Sequence, residues 1–432
     1  MLSKKDIIAL GMMIFALFLG AGNIIFPPME GYQAGSNWFW AALGFVLTGV
    51  FMPFVTLIVV TIKGKGEALS VDLPKWAQVA FWATLYLVIG STFAMPRVTN
   101  VAYEMGWMPL NIVDANHPYA HFIFAFVFNL IGLFFMLRKN TIISTVGKIM
   151  TPALLVLLVI VALQVVQTPL SDIPLPTKAY ATESALTVGM VGGYQTMDVL
   201  AATAFGGIVA HIMLSKKVTD AKRIIKYTLI AGSLSVVLLS LLYFSLFYLG
   251  ATSQAVAQDA TNGGQIFSRY VGELFGTKGV WIMSGIVMLA NLTTLVGVTS
   301  ASADYFSRLS KVSYPFWVVL FCLLTTIISE TGLTTLLRVT IPALLLIYPV
   351  AIMLVVLQLI RHKLPLVKLS YNLSIGVTVL FSAIDSLNNL GWIPDSLNQV
   401  LAKLPFYSAQ LAWLIPALIA LVMSIVLGKA RK

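Results

Sequence analysis

Two stretches of this 432-residue chain set helix-breaking residues and polar side chains inside long apolar runs. The first reads Gly20-Ala21-Gly22-Asn23, with Pro27-Pro28 just beyond. The second reads Gly192-Gly193-Tyr194-Gln195-Thr196-Met197-Asp198. Glycine, asparagine and proline are costly to helix continuity, so both runs are expected to be interrupted. An interruption in apolar surroundings frees main-chain carbonyls that can hold a desolvated cation. It also exposes N–H groups at the start of the next half-helix, where the helix dipole suits a carboxylate. Non-helical backbone of this kind is tolerated only where protein or a polar cavity satisfies it. The plainer use of the glycines is close packing between helices.

Asp198 adds a carboxylate to the second stretch. A carboxylate within a membrane span is expensive and points to function. Three uses are open to it, namely holding a substrate amine, assisting a cation or carrying a proton; a structural bond to the backbone of the break is the fourth. A third polar group, Ala290-Asn291-Leu292-Thr293-Thr294, sets two hydroxyls beside a carbonyl, the hard oxygen ligands a small cation wants. Such hydroxyls also commonly bond back to the carbonyl one turn earlier. Arg97 follows Pro96 inside another apolar run, where an acid at an external gate, snorkelling to the interface or a structural task would accommodate it. Asp304 is expected to pair with Arg308 at a surface. His117 and His121, spaced i, i+4, fall near a loop and read as structural. No cluster of His, Cys and acid residues shares a depth, which speaks against a membrane enzyme.

The elements that position these groups are membrane helices. Apolar side chains make up 59% of the chain and charged ones 10%, and the mean hydropathy is +0.92. A soluble domain carries about 25% charged residues. Apolar runs near the length of a membrane helix, about 20 residues, give twelve expected spans. They cover approximately 6–30, 38–62, 76–104, 120–137, 142–167, 188–212, 225–250, 279–307, 315–332, 339–361, 370–388 and 408–428. The start carries no cleavable signal pattern, so the first run is read as a retained span. A single cysteine, Cys322, excludes an intrachain disulfide.

The net charge of +11 is spread over span ends and forms no continuous basic face, which excludes a nucleic-acid partner. With the spans alternating, twenty-one Lys and Arg fall on the side of the termini. Only five, Lys178, Arg269, Lys278, Arg338 and Lys403, fall on the other. By the positive-inside rule both termini are cytoplasmic. Spans one to five (6–167) and six to ten (188–361) match in length and spacing. Five is odd, so the second unit inserts upside down, the inverted-repeat architecture of many secondary carriers. The two interruptions fall at corresponding places in the halves. Spans eleven and twelve (370–428) are additions that lack polar residues suited to a binding site. The whole is expected to be one transmembrane domain, residues 1–432.

Asp6-Ile-Ile-Ala-Leu-Gly, Gly20-Ala-Gly-Asn-Ile-Ile-Phe-Pro-Pro28, Gly193-Tyr-Gln-Thr-Met-Asp198 and Val218-Thr-Asp-Ala resemble the bacterial branched-chain amino acid carriers. These are the leucine/isoleucine/valine cation symporters, and the resemblance runs over essentially the whole chain. It implies uptake of those amino acids across the cytoplasmic (inner) membrane, driven by sodium or protons. The chain is more distantly similar to the sodium-dependent leucine-transporter fold. That likeness implies a sodium ion held by the carbonyls of Ala16, Leu19 and Ala290 with the hydroxyls of Thr293 and Thr294. The substrate carboxylate would meet the N–H groups of Ala21 and Gly22. Substrate contacts are expected from Gly20, Ala21, Gly22, Asn23, Gly193, Tyr194, Gln195, Thr196 and Asp198. Of the two first-helix asparagines of that fold's second sodium site, only Asn23 is matched; the other position is Leu17.

The reading is therefore an all-α integral membrane protein of about twelve helices, a 5+5 inverted repeat plus two C-terminal helices. It is expected to bind branched-chain amino acids and sodium or protons. Membrane lipid surrounds it, and it needs no cofactor and no obligate protein partner. A carrier of the same fold for another amino acid or a nucleobase, and a non-transporting nutrient sensor, are the alternatives.

Overall fold

The computed structural model describes residues 2–110, 117–138 and 142–430. Lys139, Arg431 and Lys432, counted above among the basic residues, lie outside them. All twelve expected spans are helical. Among the described residues, eight helices are long and apolar enough to cross a membrane, by length and composition. The first of these, Ala21–Lys63, folds back at Gly35 and so contains two spans. The apolar helices Leu155–Gln167, Tyr314–Ser329 and Leu414–Ala430 are shorter and supply the fifth, ninth and twelfth.

Span 1 is broken as expected, into Lys4–Phe18 and Ala21–Ala34. The break lies at Leu19-Gly20, and the second half continues straight through Pro27 and Pro28. Span 6 is broken into Ala185–Gly192, a tight 3₁₀ turn over Gly193–Thr196, and Asp198–Ser215. Here the reversal is carried by Met197, whose φ of 62° is left-handed, and not by the preceding glycines. Span 3 is also irregular, with a π-helical stretch over Val88–Thr92 in which Gly90 leaves helical geometry. Span 8 extends further back than its hydropathy suggests. It runs from Gly263 to Ser310, bent at Gly276, where φ is 60°.

The repeat, invisible as sequence identity, is legible in the packing. Span 1 lies along span 7 as span 6 lies along span 2, the exchange expected when the second five helices copy the first. Each half of each broken helix makes its contact through a glycine. A Cβ added to Gly11 would stand 2.6 Å from the Ala231 carbonyl oxygen, and one on Gly189 would stand 2.1 Å from that of Ala41. In the second halves, a Cβ on Gly31 would be 2.0 Å from the Phe247 oxygen, and one on Gly206 2.5 Å from Val60 Cβ. Lipid supplies no hydrophobic drive to join helices, so close backbone approach at small residues does much of that task.

Gly31→Ala is accordingly expected to cost about 1–3 kcal/mol or more through overpacking, read as a lower melting temperature in detergent. Gly285→Ala is the control. Nothing lies within 4 Å of its added Cβ, and a mid-helix alanine stabilises by about 1 kcal/mol over glycine. Equal melting temperatures for the two variants would refute the close-contact account.

Candidate substrate site at the paired helix breaks

The break in span 1 changes which backbone groups are paired. The Gly20 N–H turns to the Phe18 carbonyl at 2.9 Å and to Asn23 Oδ1 at 3.1 Å. The Asn23 N–H goes to the Gly20 carbonyl at 3.2 Å. In a continuous helix those two donors would serve the carbonyls of Ala16 and Leu19. Both carbonyls are thereby released at the end of the first half. At the start of the second half, the N–H groups of Ala21 and Gly22 have no intrahelical acceptor, as in any first turn. One short segment therefore offers acceptors on one side and donors on the other.

The first two N–H groups of the second half of span 6 already have partners. The Thr196 hydroxyl accepts from the Asp198 N–H at 3.4 Å, and the Tyr348 hydroxyl from the Val199 N–H at 3.3 Å. What this break contributes is its carboxylate. Asp198 is 4% exposed. Its Oδ2 accepts from Asn23 Nδ2 at 2.7 Å and from the Tyr243 hydroxyl at 3.4 Å. Asn23 Nδ2 also bonds the Tyr243 hydroxyl. The asparagine of the first break is thus bonded directly to the acid of the second, across spans 1, 6 and 7.

Other residues of the second stretch have separate tasks. A Cβ on Gly193 would be 2.2 Å from Thr48 Oγ1, so this glycine serves close packing with span 2. Tyr194 stacks on Tyr348 of span 10, ring centroids 4.4 Å apart. The Thr196 hydroxyl donates to the Gly193 carbonyl at 3.0 Å. The Gln195 side chain donates to Glu30 Oε1 at 3.2 Å, and Glu30 accepts from the Tyr180 hydroxyl. Sequence reasoning missed Glu30, Tyr243 and Tyr348.

Arg97 is neither snorkelling nor in an ion pair. It is 4% exposed, and its Nη1 donates to the Gln195 carbonyl at 2.7 Å. In span 8, the Thr293 and Thr294 hydroxyls both donate to the Ala290 carbonyl, at 2.8 and 3.1 Å. With their protons placed there, the lone pairs of both oxygens are left for another partner. The Thr294 methyl lies 3.9 Å from where a Cβ on Gly20 would be, so this pair stands beside the first break.

At the surfaces, Asp304 pairs with Arg308 at 3.1 Å, as expected. His121 bonds Glu330 at 2.7 Å and Asn100 at 2.8 Å. Span 11 is more polar on one face than its apolar average suggests. Ser370, Ser374, Thr378, Ser382 and Asp385 form a fully buried polar stripe along Val367–Asn389. Asp385 Oδ1 accepts from the Ala412 N–H at 3.3 Å, while Oδ2 has no hydrogen-bond partner among the described residues. The long apolar context of the span hid a face that period-four spacing could have revealed.

Two broken helices crossing at their breaks, with open backbone and a buried carboxylate at the crossing, are the arrangement of the inverted-repeat membrane carriers. Solved structures agree on the fold. The chain superposes on Mhp1, a nucleobase-cation-symport-1 family transporter, with a TM-score of 0.61 at 14% identity, covering 98% of this chain and 92% of that one. It superposes on MhsT, solved in complex with L-phenylalanine, with a TM-score of 0.53 at 15% identity, covering 96% and 98%. Residues 3–431 match the family model described as branched-chain amino acid transport protein, and the chain belongs to that family. It is 63% identical to the branched-chain amino acid permease BrnQ of Haemophilus influenzae, over 100% of this chain and 99% of that protein. It is 39% identical to the branched-chain amino acid transport system 2 carrier protein of Pseudomonas aeruginosa, over 99% and 98%. These relatives are named as permeases and carriers, not as enzymes.

Proposed function

We propose that this protein carries leucine, isoleucine and valine into the cell by alternating access, together with a coupling cation, sodium or a proton. The observation that carries the proposal is the junction of the two breaks. Open N–H and carbonyl groups of span 1 meet the buried carboxylate of span 6 through the Asn23–Asp198 bond. A zwitterion needs these two poles, a donor set for its carboxylate and an acid for its ammonium. The substrate carboxylate sits on the N–H groups of Ala21 and Gly22, and Asp198 receives the amine. Gly20, Asn23 and the Gly193–Thr196 turn frame the site, with the aliphatic side chain in an apolar pocket.

The cation sits at the released carbonyls of Ala16 and Leu19 with the oxygens of Thr293 and Thr294. The Ala290 carbonyl holds both hydroxyl protons away from the cation, orienting the two oxygens toward it. The protein lies in the bacterial cytoplasmic membrane with both termini cytoplasmic, a reading supported by the basic residues at its span ends. Its repeats are residues 6–167 and 188–361.

Reconstitution into proteoliposomes tests this reading. Labelled leucine is expected to accumulate when one gradient, of sodium or of pH, is imposed, and unlabelled isoleucine and valine are expected to compete. Saturable binding without accumulation would mark a sensor. Competition by an aromatic amino acid or a nucleobase, but not by valine, would mark a carrier of the same fold for another solute.

A further inference from the structure

The transport reading leaves Arg97 without a task. A guanidinium presents five N–H donors and stays charged, and burying it without partners is costly. Among the described residues Arg97 has one hydrogen bond, from Nη1 to the Gln195 carbonyl at 2.7 Å. Its Nε is buried without a partner, and no carboxylate comes within ion-pairing distance; Asp198 in particular forms no such pair with it. The Phe26 ring stacks beneath it, with Cζ 5.1 Å from the centroid. Its free arm reaches span 1. Nη2 lies 3.0 Å, and Cζ 3.4 Å, from the point where a Cβ on Gly22 would stand. A side chain at position 22 would crowd the fork, which lies against the first turn of Ala21–Ala34, where the Ala21 and Gly22 N–H groups have no intrahelical acceptor.

We propose that Arg97 completes the carboxylate site. Its unspent donors and the N–H groups of Ala21 and Gly22 together take the two oxygens of the substrate's α-carboxylate. The carrier then requires a free carboxylate, and Arg97 is the side chain that enforces this. An incoming carboxylate supplies the anion that the buried guanidinium lacks. The planar fork suits two oxygens at once, which an ammonium does not. The Phe26 face holds the guanidinium plane in place between binding events.

This inference rests on the amino acid transport reading, and the experiment separates the two. Binding of labelled leucine to the purified full-length protein is competed with unlabelled leucine, leucinamide and leucinol. The wild type is expected to take leucine and to reject both analogues. In Arg97→Gln, leucine is expected to weaken by about 10- to 100-fold, the range for losing a hydrogen bond to a charged group. The two analogues are expected to change by less than about threefold, since they never used that bond. Arg97→Lys keeps the charge but not the fork, and is expected to recover part of the discrimination.

Equal weakening of leucine and leucinamide in both variants would make Arg97 a merely structural residue and overturn the proposal. So would unchanged leucine binding in Arg97→Gln. If Arg97→Gln does not yield folded protein, Arg97→Lys decides alone by the same ratio of leucine to leucinamide. Failure of the wild type to bind leucine at all would instead remove the transport reading beneath.

Discussion

Asp198→Asn is expected to lower leucine accumulation by roughly 100-fold while leaving the protein folded. The carboxylate is buried with Asn23 and Tyr243 as its side-chain donors. An amide has the same shape and is cheaper to bury than a charge. Both bonds end on one oxygen, Oδ2, and an amide oxygen in its place accepts both, so the melting temperature in detergent is expected to hold. What the amide cannot do is balance a substrate ammonium or carry a proton. Removing one partner of a buried charged interaction costs about 3 kcal/mol or more, and about 2.7 kcal/mol corresponds to the 100-fold loss. Accumulation in proteoliposomes, measured beside thermal stability, reads both parts. Normal leucine accumulation with unaltered pH dependence would return Asp198 to a structural bond between two helix breaks.

The double replacement Thr293→Ala and Thr294→Ala is expected to raise the sodium concentration needed for half-maximal leucine uptake by about 100-fold or more, at about 1.5 kcal/mol or more for each charge-bound hydroxyl. Both hydroxyls now donate to the Ala290 carbonyl. That is the arrangement a ligand hydroxyl needs, because its proton must point away from the cation. Alanine is a good helix former, and neither hydroxyl bonds another helix, so the fold is expected to survive. The same uptake driven by an imposed pH gradient serves as the comparison. An unchanged sodium dependence would remove the ion site, leaving the hydroxyls as internal helix bonds and nothing more.

Arg97 and Asp198 lie in apolar runs and look alike as isolated buried charges, yet the chain alone pointed only Asp198 to the site. Asp198 sits in a run of helix-breaking residues, so its neighbours in sequence announced a site. Arg97 sits after a proline, and its nearest partners, Gln195 and Gly22, are remote in the chain. The glycines show the converse limit. Gly20 and Gly193 look equivalent, but one caps an open half-helix and the other is pressed against Thr48. Composition cannot tell a glycine that frees the backbone from one that admits a neighbour, because both uses need only the missing side chain. The polar face of span 11 is hidden in the sequence for a related reason. Its serines and Asp385 are diluted in an apolar average, and only their common face against spans 10 and 12 makes them a stripe.

The sequence by itself determined approximately where the helices run and that spans 1 and 6 are interrupted, though not the irregular turn of span 3 or the early start of span 8. Those properties follow from local quantities, the free energy of placing about 20 residues in hydrocarbon and the local cost of glycine and proline. Tertiary structure alone decided what meets at the interruptions. The bond from Asn23 to Asp198 spans 175 residues, and it depends on the rotation of two half-helices about their axes. That rotation is set by the glycine contacts of span 1 on span 7 and of span 6 on span 2. A turn of one residue, about 100° of helix, would point the same side chains into lipid.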